Sequence, residues 1–224
     1  FKKNNLCLAG GVALNCVANG KIFKEKIFEN IFVQPAAGDA GGSLGAALAF
    51  WHLELNKNRE IDLNEKDSMK GSYLGPEFSD NEIKQELDQL GAIYENLNED
   101  KIIELTANLL AEGKSCGWFQ GKMEFGPRAL GNRSILADPR SKDTQKKLNL
   151  KIKYRESFRP FAPSVLEDHV SDWFDFNERS PYMLMVSNIK KEKQLEMNDE
   201  EKKLFGIEKL NIKRSEVPSI THVD

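Results

Sequence analysis

Ala9-Gly10-Gly11-Val12-Ala13-Leu14-Asn15 follows a stretch that reads as a short strand, Lys2 to Leu8, and leads into residues that read as helix. The order returns at Ile31-Phe32-Val33, a second short strand. It runs into Gln34-Pro35-Ala36-Ala37-Gly38-Asp39-Ala40-Gly41-Gly42 and then an apolar helix, Ser43 to Leu55. Strand, glycine turn and helix, repeated, is the pattern of an α/β layer, and it sets the fold class. The first helix is expected over Val12 to Ile27, with Val12, Leu14, Cys16, Val17 and Phe23 on one broad face. At each turn, free backbone N–H groups and the helix dipole favour a phosphate. Neither turn is a Walker motif or a complete dinucleotide fingerprint, and either alone is better explained by ordinary turn chemistry. Together, with Asn15 one helical turn beyond Gly11, they suggest a nucleotide held by Gly10 and Gly11 on one side and by Gly41 and Gly42 on the other. Asp39 has two readings of equal weight. A carboxylate on a glycine-lined apolar loop can ligate a metal or its bound water, and it can equally cap the following helix.

Outward from these turns, residues 56 to 73 become polar and lose any clear period. Gly75-Pro76 then places a domain boundary. Ser79 and Glu82 form a capping box ahead of the stripe Ile83, Leu87 and Leu90. A strand is expected over Ala92 to Leu97, and an amphipathic helix over Lys101 to Glu112, closed by Gly113. Further strands are expected at Cys116 to Phe119 and Ser134 to Ala137. Phe158 to Leu166 is apolar and marked by prolines, and Ile189 to Lys213 reads as a solvated helix or loop. No internal repeat is present.

Between the last two strands, Gly117 to Arg140 packs Lys122, Arg128, Arg133 and Arg140 around glycine-punctuated turns. Glycines let a backbone approach a ligand, and guanidinium forks match phosphate or carboxylate oxygens. From Lys114 to Arg159 there are twelve Lys and Arg against four Asp and Glu, a local charge of +8. The whole chain is −3, which leaves −11 on the rest. That asymmetry argues for a focused site for a polyanionic small molecule, and against a protein that coats nucleic acid. Lys142, Lys146, Lys147 and Lys151 follow Asp143 at near-helical spacing and read as the outer face of a short helix. Trp118, Phe119 and Phe125 are expected to pack in the core rather than to stack on bases.

The 40% hydrophobic content of the 224 residues supports real cores, and no run approaches the roughly 20 apolar residues that span a bilayer. Cys7, Cys16 and Cys116 lack metal-ligand spacing and suit a reducing, cytoplasmic setting as small buried hydrophobes. Phe1 is not a start methionine and the chain closes at Thr-His-Val-Asp, so it is expected to be a fragment of a longer protein.

The motifs Ala9 to Asn15, Gln34-Pro35 with Gly38 to Ala47, Gly121 to Arg140 and Tyr154-Arg155-Glu156-Ser157-Phe158-Arg159-Pro160-Phe161-Ala162-Pro163 together resemble the carbamoyltransferase family of nodulation and antibiotic-biosynthesis enzymes (NodU/CmcH type). The resemblance implies an α/β architecture in which residues 1–75 are the C-terminal part of an actin/hexokinase/acetate-kinase-like domain. Residues 76–224 would be a truncated YrdC-like domain. It implies that the second domain makes carbamoyl adenylate from carbamoyl phosphate and ATP, with Mg accompanying ATP. The first domain, with a nucleotide and an iron-type divalent metal, would pass the carbamoyl group to a hydroxyl of a small metabolite or sugar. Carried onto this chain, Lys122, Arg128, Arg133, Arg155 and Arg159 would stabilise phosphate charge. Gly10, Gly11, Asn15, Gly41 and Gly42 would hold the nucleotide, and Asp39 would ligate the metal. The family's His-x-x-x-His metal pair is not in this sequence, whose His52, His169 and His222 are isolated, and Asn132 stands where many relatives carry histidine. The piece alone is therefore expected to be inactive. A tRNA threonylcarbamoylation enzyme and a non-catalytic nucleotide-binding module are the alternatives. Partners are small molecules, without membrane or nucleic acid, and a homo-oligomer is left open.

Overall fold

The computed structural model describes residues 3–62, 64–65 and 67–222. Phe1, Lys2 at the start of the expected strand, Leu63, Lys66 and the closing Val223 and Asp224 lie outside the described residues. The chain divides into two compact units. The first comprises Phe1–Phe78, Gln120–Arg133 and Arg179–Val186; the second comprises Ser79–Phe119, Ser134–Glu178 and Ser187–Asp224.

The first unit is built on a parallel strand pair. Strand β1 (Asn5–Leu8) pairs in register with β2 (Asn30–Val33), so that Leu6 faces Ile31 and Leu8 faces Val33. A parallel pair needs a crossover, and α1 (Cys16–Glu25) supplies it. The expected single helix from Val12 is broken. Gly11–Leu14 forms a 3-10 turn, and Asn15 leaves helical geometry to accept the Ala18 N–H on its side chain at 3.0 Å. Asparagine competes well for such a cap and poorly for a helix interior, which is why the break falls there. The second helix, α2 (Asp39–Ala49), starts earlier than expected and runs into a π-helical turn, Phe50–Glu54.

Ala13, Val33, Ala37 and Leu184 form the apolar core of this unit, with Leu8, Leu14, Ile31 and Tyr182 packed against it. The most buried residues of α1 are not its apolar ones: Asn19 and Gly20 are buried, whereas Cys16, Val17 and Phe23 are half-buried, and Val12, in the 3-10 turn ahead of the helix, is 88% exposed. Asn19 donates to the carbonyls of Ala13 (2.8 Å) and Leu184 (2.9 Å), and a Cβ on Gly20 would collide with the Val186 carbonyl. Residues 184–186 lie too close to the helix backbone for a larger side chain.

The second unit contains α3 (Asp80–Gln89), α4 (Glu99–Ala111), β3 (Ser115–Phe119) paired with β4 (Arg133–Ala137), and α5 (Thr144–Lys151). Two short helices follow, α6 (Val170–Trp173) and α7 (Asp199–Lys203). The Ser79–Glu82 capping box forms as expected. Residues 92–97 form no strand: no strand pairs with them among the described residues, and Ile93 is fully exposed. The segment 189–213 breaks into a 3-10 turn at Lys191–Lys193, then α7 and a 3-10 turn at Gly206–Asn211. The cysteines are free but not buried; Cys7 is exposed because the two-stranded sheet leaves its side uncovered. Phe119 is likewise exposed rather than in a core.

Candidate functional site

Both glycine turns and the basic loop meet in the first unit. The Gly10 N–H donates to the Ala37 carbonyl at 2.9 Å, and a Cβ on Gly38 would lie 3.4 Å from Leu14 Cδ1. Ala36 is the pivot, 7% exposed and held at a left-handed φ of 55°. Gly126 approaches it so closely, at a φ of 112°, that a Cβ there would lie 2.5 Å from the Ala36 Cβ. A Cβ on Gly41 would strike the Ala36 carbonyl oxygen. Gly11 and Gly42 differ: both are exposed, and an added Cβ would meet nothing within 4 Å. Packing within this chain does not require glycine at those two positions.

The basic loop is fastened at its base by residues 72–76. Gly75 N–H donates to the Met123 carbonyl (2.9 Å), Met123 N–H to that of Pro76 (2.9 Å), and Phe125 N–H to that of Ser72 (2.6 Å). The Tyr73 hydroxyl donates to the Leu130 carbonyl at 2.7 Å. Tyr73 is positioned by a second knot, in which Asp67 accepts from the Tyr182 hydroxyl and from the N–H groups of Met69 (3.1 Å) and Gly71 (3.0 Å). Burial raises the Asp67 carboxyl, but these donors outweigh it and hold the pKa below its ordinary value. Burial, followed by the bond to Asp67, pushes the Tyr182 hydroxyl up.

Three predicted cations of this loop have distinct surroundings. Arg128 is half-buried; its Nη2 donates to the Leu14 carbonyl at 3.3 Å, while its buried Nε has no partner among the described residues. Arg133 turns its guanidinium onto backbone carbonyls, those of Gln120 (2.7 Å), Asn132 (2.8 Å), Gly121 (3.1 Å) and Pro76 (3.4 Å). It thus clamps the turn that carries Lys122, whose side chain is exposed. Asn132 closes the same turn through the Lys122 carbonyl (2.7 Å) and the Gln120 amide (3.1 Å).

Arg155 and Arg159 belong to the second unit. Arg155 donates to Asn149 Oδ1 at 2.6 Å and lies 5.1 Å from the centre of the Phe161 ring. Asn149 is wholly buried and also donates to the carbonyls of Ser157 (3.1 Å) and Arg159 (2.9 Å). Gln145 adds bonds to the carbonyls of Phe158 (3.1 Å) and Arg159 (3.0 Å). The Arg159 guanidinium pairs with Glu156 at 3.1 Å in solvent. Lys142, Lys146, Lys147 and Lys151 are all exposed, as their spacing implied.

Asp39 is the first residue of α2, exposed, with Gly38 at the cap position and no side-chain cap bond, so the capping reading fails. No cluster of three or more His, Cys, Asp or Glu able to hold a metal occurs among the described residues. His52, His169 and His222 bond to the Lys57 carbonyl, to Asp172 and to the Phe158 carbonyl respectively, not to one another. The described residues do not by themselves make a metal centre. Asn15 serves α1 as its cap.

Sequence reasoning missed the residues that organise the two loops, namely Glu124, Tyr73 and Tyr182 in the first unit, and Gln145 and Asn149 in the second. For the last two a signal existed. Gln145, Leu148 and Asn149 recur at helical spacing opposite the lysines. No helix of the described structure is long and apolar enough to cross a membrane.

Comparison with known proteins gives these features a common origin. Residues 1–48 match the family model described as carbamoyltransferase N-terminus, and residues 107–224 match carbamoyltransferase C-terminus. An uncharacterised protein of Synechocystis sp. is 55% identical over 222 residues, which cover 98% of this chain and 36% of the relative. Nodulation protein NolNO of Sinorhizobium fredii is 44% identical over 193 residues, covering 84% and 28% respectively. Nodulation protein U of Rhizobium fredii is 34% identical over 186 residues, covering 83% and 29%. The chain thus spans roughly a third of the length of these relatives. With glycine turns and arginine loops falling inside the two matched regions, this chain belongs to the carbamoyltransferase family.

Proposed function

We propose that the protein carrying this chain is an ATP-dependent O-carbamoyltransferase. It forms carbamoyl adenylate from carbamoyl phosphate and ATP, then transfers the carbamoyl group to a hydroxyl of a small metabolite or sugar. In this reading residues 1–75 belong to an actin/hexokinase/acetate-kinase-like domain and residues 76–224 to a YrdC-like one. The observation that carries it is the convergence on Ala36 and Leu14. Two glycine turns and an arginine-bearing loop meet there, with Gly11 and Gly42 free of any packing demand for glycine. Backbone left bare without a packing reason suits close approach by a ligand, and the α1 and α2 N-termini favour that ligand's being anionic.

Each residue then has a task. The N–H groups of Gly11 and Gly41 are assigned to nucleotide phosphate, while Gly10 and Gly42, whose own N–H groups donate to the Ala37 and Gly38 carbonyls, contribute bare backbone for its approach. Arg128, with Nε unspent, faces developing phosphate charge, and Lys122 adds an exposed ammonium. Arg133 acts through the backbone turn it clamps. Arg155, with its plane fixed by Asn149 and Phe161, offers a preorganised fork to an anion, and Arg159 a more solvated one. Water first cleaves carbamoyl phosphate to carbamate and inorganic phosphate; a carbamate oxygen then forms a bond to the α-phosphorus of ATP as the bond to pyrophosphate breaks. Transfer then forms a carbon–oxygen bond to the acceptor and expels AMP. Asp39 is assigned as one ligand of a divalent metal, and no step is routed through that metal.

ATP–pyrophosphate exchange on the full-length protein tests this. Exchange that requires carbamoyl phosphate is expected. Exchange that requires threonine and bicarbonate instead would move the protein to tRNA modification, and no exchange with either would leave a nucleotide-binding module.

A further inference from the structure

Glu124 is 6% exposed in a loop that otherwise lies largely at the surface. Its Oε1 alone accepts three backbone N–H groups, those of Leu130 (2.7 Å), Asn132 (2.8 Å) and Arg133 (3.2 Å). The backbone on either side of Glu124 is pinned to residues 72–76 through Met123 and Phe125. A fixed carboxylate at the loop's entrance therefore gathers the amides at its exit and closes residues 125–132 into a ring. Arg128 stands within that ring, and its guanidinium reaches the Leu14 carbonyl.

We propose that Glu124 is the positioning residue of this loop, setting where Arg128 stands while making no contact with substrate itself. The assignment of Arg128 rests on the function proposed above; the closing of the loop does not. A loop of this length with glycines at φ 112° (Gly126) and φ 117° (Gly131) has many conformations of similar energy. Neutral partners would select among them weakly. Bonds to an ionised acceptor are about twice as strong as neutral ones, and three converge here. Burial raises the Glu124 carboxyl, yet the donated N–H groups more than offset this and its pKa lies below the ordinary 4.5, so it is ionised at neutral pH.

The test uses the full-length protein with Glu124→Gln, Arg128→Ala and both together. It reads amide hydrogen exchange and carbamoyl-phosphate-dependent pyrophosphate exchange. Glu124→Gln keeps the shape and one acceptor but removes the charge. Exchange of amides 125–133 should rise about tenfold while α1 and α2 stay protected, and kcat/KM should fall by about tenfold. Arg128→Ala should cost clearly less in the Glu124→Gln background than in the parent, because the variant has already lost Arg128's placement. Deprotection spreading equally through α1 and α2 would overturn the proposal, making Glu124 a general stability residue. So would additive effects of the two substitutions. An inert Arg128→Ala would instead sink the functional assignment of Arg128, with amide exchange alone then deciding on Glu124. Should Glu124→Gln fail to fold, Glu124→Asp, which keeps the charge on a shorter arm, is read in the same way.

Discussion

In the first unit a carboxylate, Glu124, gathers the backbone N–H groups of an arginine-bearing loop, whereas in the second the carboxamides of Gln145 and Asn149 gather the carbonyls of another. Both solve the same problem. An arginine aimed at an anion must sit on irregular backbone, and irregular backbone leaves polar groups that burial makes costly to leave unpaired. The solutions differ in charge. A carboxylate only accepts and titrates; a carboxamide donates and does not. They differ also in surroundings: the first loop closes against apolar and glycine contacts at Ala36, while the second rests on a polar interior that includes Gln145, Asn149 and Ser219. Buried side chains of opposite hydrogen-bonding sense thus present the same functional group.

The largest effect that separates the two regions is steric. Gly126→Ala forces a positive φ on alanine and a collision with Ala36, and should destabilise the first unit by about 3 kcal/mol in denaturant titrations. Gly42→Ala, with open space around it, should change stability by less than about 0.5 kcal/mol while weakening ATP binding in calorimetry. Equal destabilisation by the two would erase the distinction between packing and ligand-facing glycines. Next comes Asn149→Ala, which removes the donor to the Ser157 carbonyl and one of two donors to the Arg159 carbonyl, and should cost about 2 kcal/mol in the second unit. Its Arg155 should lose affinity for anions with it, and retained affinity would separate Arg155 from its anchor.

Acid should divide the loops. The native pKa of Glu124 is depressed, so its contribution is present above 4.5 and is lost as pH falls below that value through the native pKa. Backbone resonances of 125–133 should therefore shift below pH 4.5. Those of 155–159 should change less, since only the exposed Glu156–Arg159 pair titrates there, and such pairs contribute little. Simultaneous transitions would break the comparison. The smallest effect belongs to the helix face: Lys146→Ala should alter stability by less than about 0.5 kcal/mol and leave ATP affinity unchanged. A large loss of affinity would instead give α5 a direct part in binding.

By itself, the sequence determined what depends on neighbours along the chain. Alternating strand, glycine turn and helix marked the parallel β1–β2 pair and its crossover, and Ser79 and Glu82 marked a helix start, because caps and periodicity act within a few residues. The motifs that carry the family resemblance were legible for the same reason. Tertiary structure alone decided which distant backbones meet. That Gly126 and Gly41 need bare backbone against Ala36, while Gly11 and Gly42 do not, is invisible in four identical letters. So is the use of Arg133 on carbonyls and of Arg128 on Leu14, since charge composition counts cations without saying what each one faces. Asn19, buried in a helix whose apolar side chains are only half-buried, and Glu124, buried within a basic segment, follow the same rule. A polar group's place is set by the donors and acceptors that folding brings to it, and those lie up to 165 residues away along the chain.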